Sequence, residues 1–524
     1  MNNALRLPTG NPFFTPLRVN NQIYVDKTET IFQLARSRGR FFLARPRRFG
    51  KTLLLSTFES LFAYGLRDFK GLAIEKLWSD KTYDVVHLDF SFVLAFDTAE
   101  EFKSRFYEML AISLEDQDFV PSNSPSETIF RFARWLKKRP IDSLVLLIDE
   151  YDSPLTQVLN NKPLFLGVQS VLREFFSVLK GCDFAFRFLF LTGVTRFSNT
   201  SIFSGFNNLL DITLIPNYGT LLGYTEAELK HYFPDFLQDA AKTHGISFSQ
   251  LMQQLRDYYD GFSFDSEGKT HVYCPWSVLN FFADPAHKFE NYWFRSCGQP
   301  SVLMNYLTHR KLDKPMDFLE SVSMDPLQLL TSSAYDTLDV NVLLQQTGYL
   351  TIRAVNAGGN LQLGYPNREV TASIANLYAK NMVGNDAFSS RDLLAHMLQG
   401  EVMESITFIN RVLNSLNYNR YPIRDEASFQ CCMQVLLIGT SLSPQVEVHT
   451  ARGRSDMEVD VGRYRWVFEL KFARKGDDAK ALCLKASDQI LERKYGETPH
   501  GKQLIRVAMV FEEAARQVTA WKAF

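Results

Sequence analysis

The chain is poor in cysteine, nearly without net charge and without any long apolar run, and each shortage narrows what it can be. Its six cysteines in 524 residues, Cys182, Cys274, Cys297, Cys431, Cys432 and Cys483, show no C-x-x-C spacing. That argues against a disulfide framework or a zinc site and for free thiols in a reducing compartment. Lys+Arg of 57 against Asp+Glu of 58 leaves a net charge of −1, so no global field draws the chain to nucleic acid or an anionic membrane, and any such binding needs a local patch. No stretch approaches the roughly 18 apolar residues of a membrane span, and the opening text MNNALRLPTGNPFF lacks the basic-then-apolar order of a signal peptide. The expected location is cytoplasmic, with no membrane partner. Repeats and low-complexity segments are also missing, which excludes arrays and solenoids.

What is present is ordinary globular text, 46% hydrophobic and 22% charged, long enough for about three domains at roughly 150 residues each. From Arg40 to Ile215 short apolar runs alternate with amphipathic stretches, the pattern of a parallel sheet with crossover helices. The expected strands are 41–44, 85–93, 143–149, 186–192 and 211–215, and their unbroken apolar character fits burial on both faces. After 216 the text becomes helical over 225–233, 247–259 and 277–283, as in a lid. A helical 338–346 followed by strand-like 349–355 and 361–365 around the turn NAGGN suggests a winged helix. The last hundred residues read as an α+β unit, with helices over 427–440 and 477–495 and strands over 444–450, 457–462, 464–472 and 506–511. The expected division is 1–215, 216–385 and 386–524.

Chemistry-bearing residues fall into two groups. The text FFLARPRRFGKT (41–52) sets Gly50, Lys51 and Thr52 between a strand and a helix. Backbone N–H groups at such a helix N-terminus favour phosphate. Lys51 would reach the β- and γ-phosphates of ATP, and the Thr52 hydroxyl would ligate Mg²⁺. Arg45 stands where the usual pattern has its first glycine, and Arg47 and Arg48 crowd the loop, either gripping phosphates or anchoring it. Farther on, SLVLLIDEYD (143–152) puts Asp149 and Glu150 at the end of a buried strand, as a magnesium-holding acid beside an acid that orients attacking water. The text LTGVTRF (191–197) offers Thr192 or Thr195 to sense the γ-phosphate. Arg196 is a candidate charge-stabilising arginine, in cis or toward another copy of the chain.

At YVDKT (24–28), RPRRFGKT (45–52), LLIDEYD (146–152), LTGVTRFSNTSIFSGFNNLLDIT (191–213), YDGFSF (259–264) and YPNREV (365–370) the chain resembles the bacterial and archaeal AAA-ATPase-like family with a fused PD-(D/E)XK nuclease-like domain. The resemblance spans almost the whole chain and makes Arg45 a family trait. It implies an α/β fold: a P-loop NTPase with an AAA-like parallel sheet, a helical lid and winged-helix region, and a C-terminal restriction-endonuclease-like domain. YVDKT then brings Asp26 and Lys27 either to the nucleotide or into a structured N-terminal turn.

The second group lies near the C-terminus. Metal-dependent phosphodiester cleavage needs converging carboxylates and a lysine to position or activate water. Asp456 precedes one strand, and Glu469 and Lys471 share a face of YRWVFELKF because side chains alternate along a strand, with Leu470 turned to the core. The acid-x-Lys tripeptide alone proves little, since Glu228/Lys230 repeats it in helical text; only the aromatic strand around it and the upstream aspartate set 469–471 apart. This layout resembles the PD-(D/E)XK core, which implies Glu426 as a further metal-holding acid and Gln489 as a contact to the site or substrate. From 448 to 524 Lys+Arg number 15 against 11 Asp+Glu, a local excess compatible with a phosphate backbone. The expectation is an ATP- and Mg²⁺-binding ATPase whose nucleotide state controls a nuclease acting on nucleic acid, DNA first, with Mg²⁺ or Mn²⁺ held by Glu426, Asp456 and Glu469 and with self-assembly open. A non-cleaving alternative stands beside it, either a nucleotide-dependent signalling switch or a DNA-binding remodeller.

Overall fold

The computed structural model describes residues 6–93, 95–122, 124–197, 202, 208–296, 321–331, 339–383, 390–416, 418, 421–440, 442–450, 453–497 and 501–524. Cys297 and most of the text 198–207 lie outside them. The described cysteines are free thiols, and all but Cys431 are buried. The chain divides into two compact units, Met1–Asn367 and Arg368–Phe524.

In the first unit, β1 (Arg40–Ala44), β2 (Asp84–Asp89), β3 (Leu144–Asp149), β4 (Phe186–Gly193) and β5 (Leu210–Asp211) form a five-stranded parallel sheet in the order β2-β3-β4-β1-β5. Every residue of β1, β3 and β4 is buried, which is why their text is continuously apolar. The sheet fits a P-loop NTPase, with β4 between β1 and β3 so that the three C-terminal ends lie side by side. Two strands are shorter than expected, each because an aspartate turns the chain. Asp89 Oδ1 accepts from Ser91 N at 2.8 Å and ends β2 before Phe90. Asp211 Oδ1 accepts from Thr213 N at 2.9 Å and ends β5.

The helices Glu226–Tyr232, Phe248–Tyr259 and Pro275–Ala283 follow as expected, together with Pro234–His244, which the sequence reading left out. Their apolar faces meet around Leu229, Phe233, Leu237, Leu255 and Phe281, and Ile23 and Val25 from the N-terminal segment join that core. Capping boxes at Thr225/Glu228 and Ser247/Gln250 start two of them. Helix Val340–Gln346 is then followed by the antiparallel hairpin β7 (Thr351–Val355) and β8 (Leu361–Gly364), and β6 (Val322–Met324) pairs with β8 to complete a three-stranded sheet, β6-β8-β7.

The second unit begins with helix Arg368–Val383, ahead of the boundary expected at 385, and this helix packs on Glu426–Gly439. Its mixed sheet runs β13-β12-β11-β10-β9, with β9 (Gln445–Thr450), β10 (Gly453–Val461), β11 (Tyr464–Ala473), β12 (Gln503–Glu512) and β13 (Gln517–Ala523). β11 and β12 are parallel and joined through helix Ala479–Glu492, which buries Cys483, Ala486 and Ile490 against Val467, Ala508 and Val510. This arrangement fits the PD-(D/E)XK fold, and the whole chain is α/β. β10 starts at Gly453, so Asp456 sits within the strand rather than ahead of it. Among the described residues no helix is long and apolar enough to cross a membrane.

Candidate active sites

β1 delivers the chain to a loop whose last residue, Gly50, has φ 94° and opens helix Lys51–Tyr64 without a side-chain cap. The left-handed turn suits glycine, and the uncapped first turn leaves its N–H groups free to meet an anion. In front lies a cavity of about 630 Å³ lined by Arg47, Arg48, Gly50, Lys51, Thr52 and Glu150 on one side, and by residues such as Tyr24, Lys27, Leu222 and Trp276 elsewhere. Its volume is in the range of small-molecule and cofactor sites. Lys51 Nζ donates to the carbonyls of Arg45 (3.1 Å) and Pro46 (3.2 Å). Burial lowers its pKa, opposed by Glu150 and Asp149.

Asp149 at the end of β3 ties the neighbouring strand ends together. Its Oδ2 accepts from Thr52 Oγ1 at 2.7 Å, and its Oδ1 accepts from Thr192 Oγ1 at 2.5 Å and from Glu150 N at 2.9 Å. Thr52 and Asp149 thus put a hydroxyl and a carboxylate together beside the phosphate cradle, a donor set that fits Mg²⁺ shared with phosphate oxygens. Glu150 lines the cavity, and burial raises its pKa against the pull of Lys51.

In the second unit Lys471 Nζ lies 3.1 Å from Glu469 Oε1, 3.2 Å from Glu426 Oε1 and 3.9 Å from Asp456 Oδ2. Two adjacent strands and the first residue of helix Glu426–Gly439 therefore bring all four side chains to one point. Asp456 is fixed further, its Oδ2 accepting from Leu470 N at 2.7 Å. Burial and then the nearby Asp456 push the Glu469 carboxyl up to about 7. Burial also raises Asp456. Burial pulls Lys471 down, but the three carboxylates outweigh it and its pKa rises. Glu469 Oε2 is buried with no hydrogen-bond partner, and such an oxygen beside two further carboxylates fits a hard divalent cation. As the side chains stand, the ammonium is the cation among them, and no three His, Cys, Asp or Glu side chains among the described residues form a metal-holding group of their own.

Residues 8–203 match the family described as "Predicted AAA-ATPase", and residues 424–521 match the PD-(D/E)XK nuclease superfamily. The chain joins an AAA-ATPase-like segment to a PD-(D/E)XK nuclease-superfamily segment. A protein of Azotobacter chroococcum mcd 1, described as an uncharacterized protein in vnfD 5'region, is 28% identical over 533 residues, covering 98% of each chain. That description assigns it no activity.

Arg47 and Arg48 line the cavity as expected, while several other expected residues of the AAA-ATPase-like segment stand in other settings. Arg45 turns into the protein, its guanidinium donating to the carbonyls of Ala44 (2.9 Å), Thr213 (2.6 Å) and Tyr218 (3.0 Å) and lying 4.3 Å from the Phe264 ring. It anchors the loop through carbonyls, not salt bridges. Arg48 stacks 4.3 Å from the Trp276 ring and donates to Ser296 O at 2.9 Å. Trp293 Nε1 donates to Arg47 O at 3.1 Å. Arg196 forms an ion pair with Asp211 and does not line the cavity. Thr192 is fully buried against Asp149, and Thr195 bonds Asp152 at 2.5 Å. Lys27 does reach the cavity, paired with Glu228 at 2.5 Å, whereas Asp26 accepts from the backbone of Thr28 and Ala73 at 2.8 Å each.

In the nuclease-superfamily segment Gln489 bonds the Tyr495 hydroxyl at 3.4 Å rather than the carboxylates. Sequence reasoning assigned no role to Asp152, Trp276 or Trp293. Asp152 stands inside the quoted LLIDEYD text, but its partners lie more than forty residues away. No local pattern marks the tryptophans.

Proposed function

We propose that the chain binds Mg·ATP at the Arg45–Thr52 loop, hydrolyses it, and uses nucleotide state to govern a Mg²⁺- or Mn²⁺-dependent nuclease acting on DNA. In this reading 1–215 is the ATPase domain, Lys51 and the first-turn N–H groups hold phosphate oxygens, Thr52 and Asp149 hold the metal, and Glu150 orients water. The observation that carries the ATPase half is the Thr52–Asp149–Glu150 arrangement at a phosphate-ready helix N-terminus facing a nucleotide-sized cavity. In the second unit Glu426, Asp456 and Glu469 would hold a divalent ion, which would polarise the phosphoryl oxygen and supply activated water. Lys471 would position that water and balance charge at the phosphate. The chain works in the cytoplasm, on nucleic acid and without a membrane partner.

The experiment compares the wild type with Lys51→Ala, Glu150→Gln and Lys471→Ala. ATP binding is expected to fail in the first, and turnover without loss of binding in the second. Plasmid cleavage with Mn²⁺ is expected to depend on ATP and to vanish in Lys471→Ala. Cleavage that survives in Lys471→Ala refutes the nuclease assignment, and equal ATP binding by Lys51→Ala refutes the phosphate loop. One observation favours a second reading, a nucleotide-dependent interaction module that does not cleave: an internal ammonium already stands among the three carboxylates. Absence of nicking with every nucleotide and metal supports that reading.

A further inference from the structure

Glu150 has φ 48°, a left-handed backbone that a non-glycine residue keeps only when its surroundings over-determine it. Its carboxylate accepts no hydrogen bond from the described residues, so the carboxylate's position is set by the backbone on either side. On one side is Asp149, bonded to Thr52, Thr192 and the Glu150 amide itself. On the other, Tyr151 N donates to Thr192 O at 3.1 Å, and the Tyr151 hydroxyl bridges Thr195 O (2.9 Å) and Phe197 N (3.0 Å).

Asp152 completes this second clamp. It is 2% exposed, and its two oxygens accept from Val194 N (3.1 and 3.2 Å), Thr195 N (2.6 Å) and Thr195 Oγ1 (2.5 Å). Gly193 lets the two segments close: a Cβ there would stand 2.6 Å from Asp152 Oδ1 and from the Tyr151 ring. A buried carboxylate with this many donors is held hard.

We propose that Asp152 is a positioning residue for ATP hydrolysis, locking the loop after β4 to the turn that aims Glu150 into the cavity. The inference rests on the reading of Glu150 as the water-orienting group. Asp152 touches no substrate; it acts by denying the Glu150 turn the freedom to relax.

The test uses the full chain as wild type, Asp152→Ala, Asp152→Asn and Gly193→Ala, with kcat and KM for ATP, calorimetric ATP affinity and thermal melting. Loosening a positioned group by an ångström costs about 100-fold in rate, so Asp152→Ala is expected to lose kcat on that order with ATP affinity unchanged. Asparagine keeps an acceptor for the two amides and is expected to restore part of the rate. Gly193→Ala, which retains the Asp152 side chain but sets a Cβ against its Oδ1 and the Tyr151 ring and so forces the segments apart, is expected to lower kcat as well. Affinity, kcat and melting temperature falling in step would mark a merely structural residue and overturn the proposal. So would Asp152→Ala turning over at the rate of an active wild type, with the ATPase reading left intact. A wild type that binds ATP and never hydrolyses it sinks both.

Discussion

Lys471 Nζ lies 3.1 Å from Glu469 Oε1, while the second oxygen of Glu469 is buried without a partner. The same ammonium faces Glu426 and Asp456, so one internal cation offsets three carboxylates. Only Glu469 is fully buried, and Glu426 is exposed, so removing the ammonium costs less than the roughly 3–5 kcal/mol of breaking a fully buried pair, and less again where a carboxylate takes up a proton instead. Lys471→Ala is therefore expected to melt below wild type in EDTA. A divalent ion that binds only the folded state then stabilises the variant more than the wild type, because it no longer competes with an ammonium. Melting curves with EDTA and with MnCl₂ check this. Equal Mn²⁺ shifts in the two proteins would show that the carboxylates do not share a cation site.

Arg45 leads to a prediction opposite to what motif matching suggests. Restoring the usual first glycine by Arg45→Gly would strip hydrogen bonds from the carbonyls of Ala44, Thr213 and Tyr218 and leave a void beside Phe264. Each buried acceptor left unsatisfied costs about 1–3 kcal/mol. Arg45→Gly is expected to destabilise the first unit by several kcal/mol rather than improve nucleotide binding. Urea unfolding measures it; a variant as stable as wild type would contradict the anchoring role.

The expected strands 41–44, 143–149 and 186–192 match β1, β3 and β4 because burial on both faces writes itself as unbroken apolar text. The ends of β2 and β5 were not legible, since a single aspartate bonding two residues ahead stops a strand without altering hydropathy. β13 escaped notice because its edge text, QVTAWKA, alternates with polar and charged residues. Lys51, Thr52, Asp149 and Glu150 could be read because their chemistry is local to two strand ends. The pairing of Arg196 with Asp211, of Gln489 with Tyr495 and of Asp152 with Thr195 depends on which partner the fold brings up, and spacing carries no trace of that.

Asp260 supplies a pH test away from both clusters. One of its oxygens is buried without a partner, and burial pushes its carboxyl from the ordinary 3.8 up to about 6. A carboxyl with a folded pKa above its unfolded one binds its proton more tightly when folded. The stability this contributes is full below about pH 4 and is lost as the pH rises through about 6. Asp260→Asn removes the ionisation and is expected to raise the melting temperature at about pH 8 while changing it little at about pH 4. Thermal melts at the two pH values decide; an equal difference at both would mean the carboxyl is not held up by burial.

Lys51 is buried with its ammonium on two main-chain carbonyls and no carboxylate in hydrogen-bond contact. Burying a charge on such thin compensation is costly, and burial accordingly lowers its pKa. The two carbonyls and the nearby Glu150 and Asp149 offset that cost in part, and a bound phosphate would offset more of it. Lys51→Met preserves the length of the side chain and its packing while removing the charge; relief from burying the charge opposes the loss of a donor to two carbonyls, about 1–3 kcal/mol each, so the melting temperature is expected to change little. Losing a charged hydrogen bond to phosphate costs about 1.5–3 kcal/mol, a weakening of ATP binding on the order of tenfold to a hundredfold. Calorimetry with Mg·ATP beside thermal melting separates the two effects. A variant that melts well below wild type yet binds ATP as tightly would make Lys51 a structural residue and remove the phosphate loop from the chemistry.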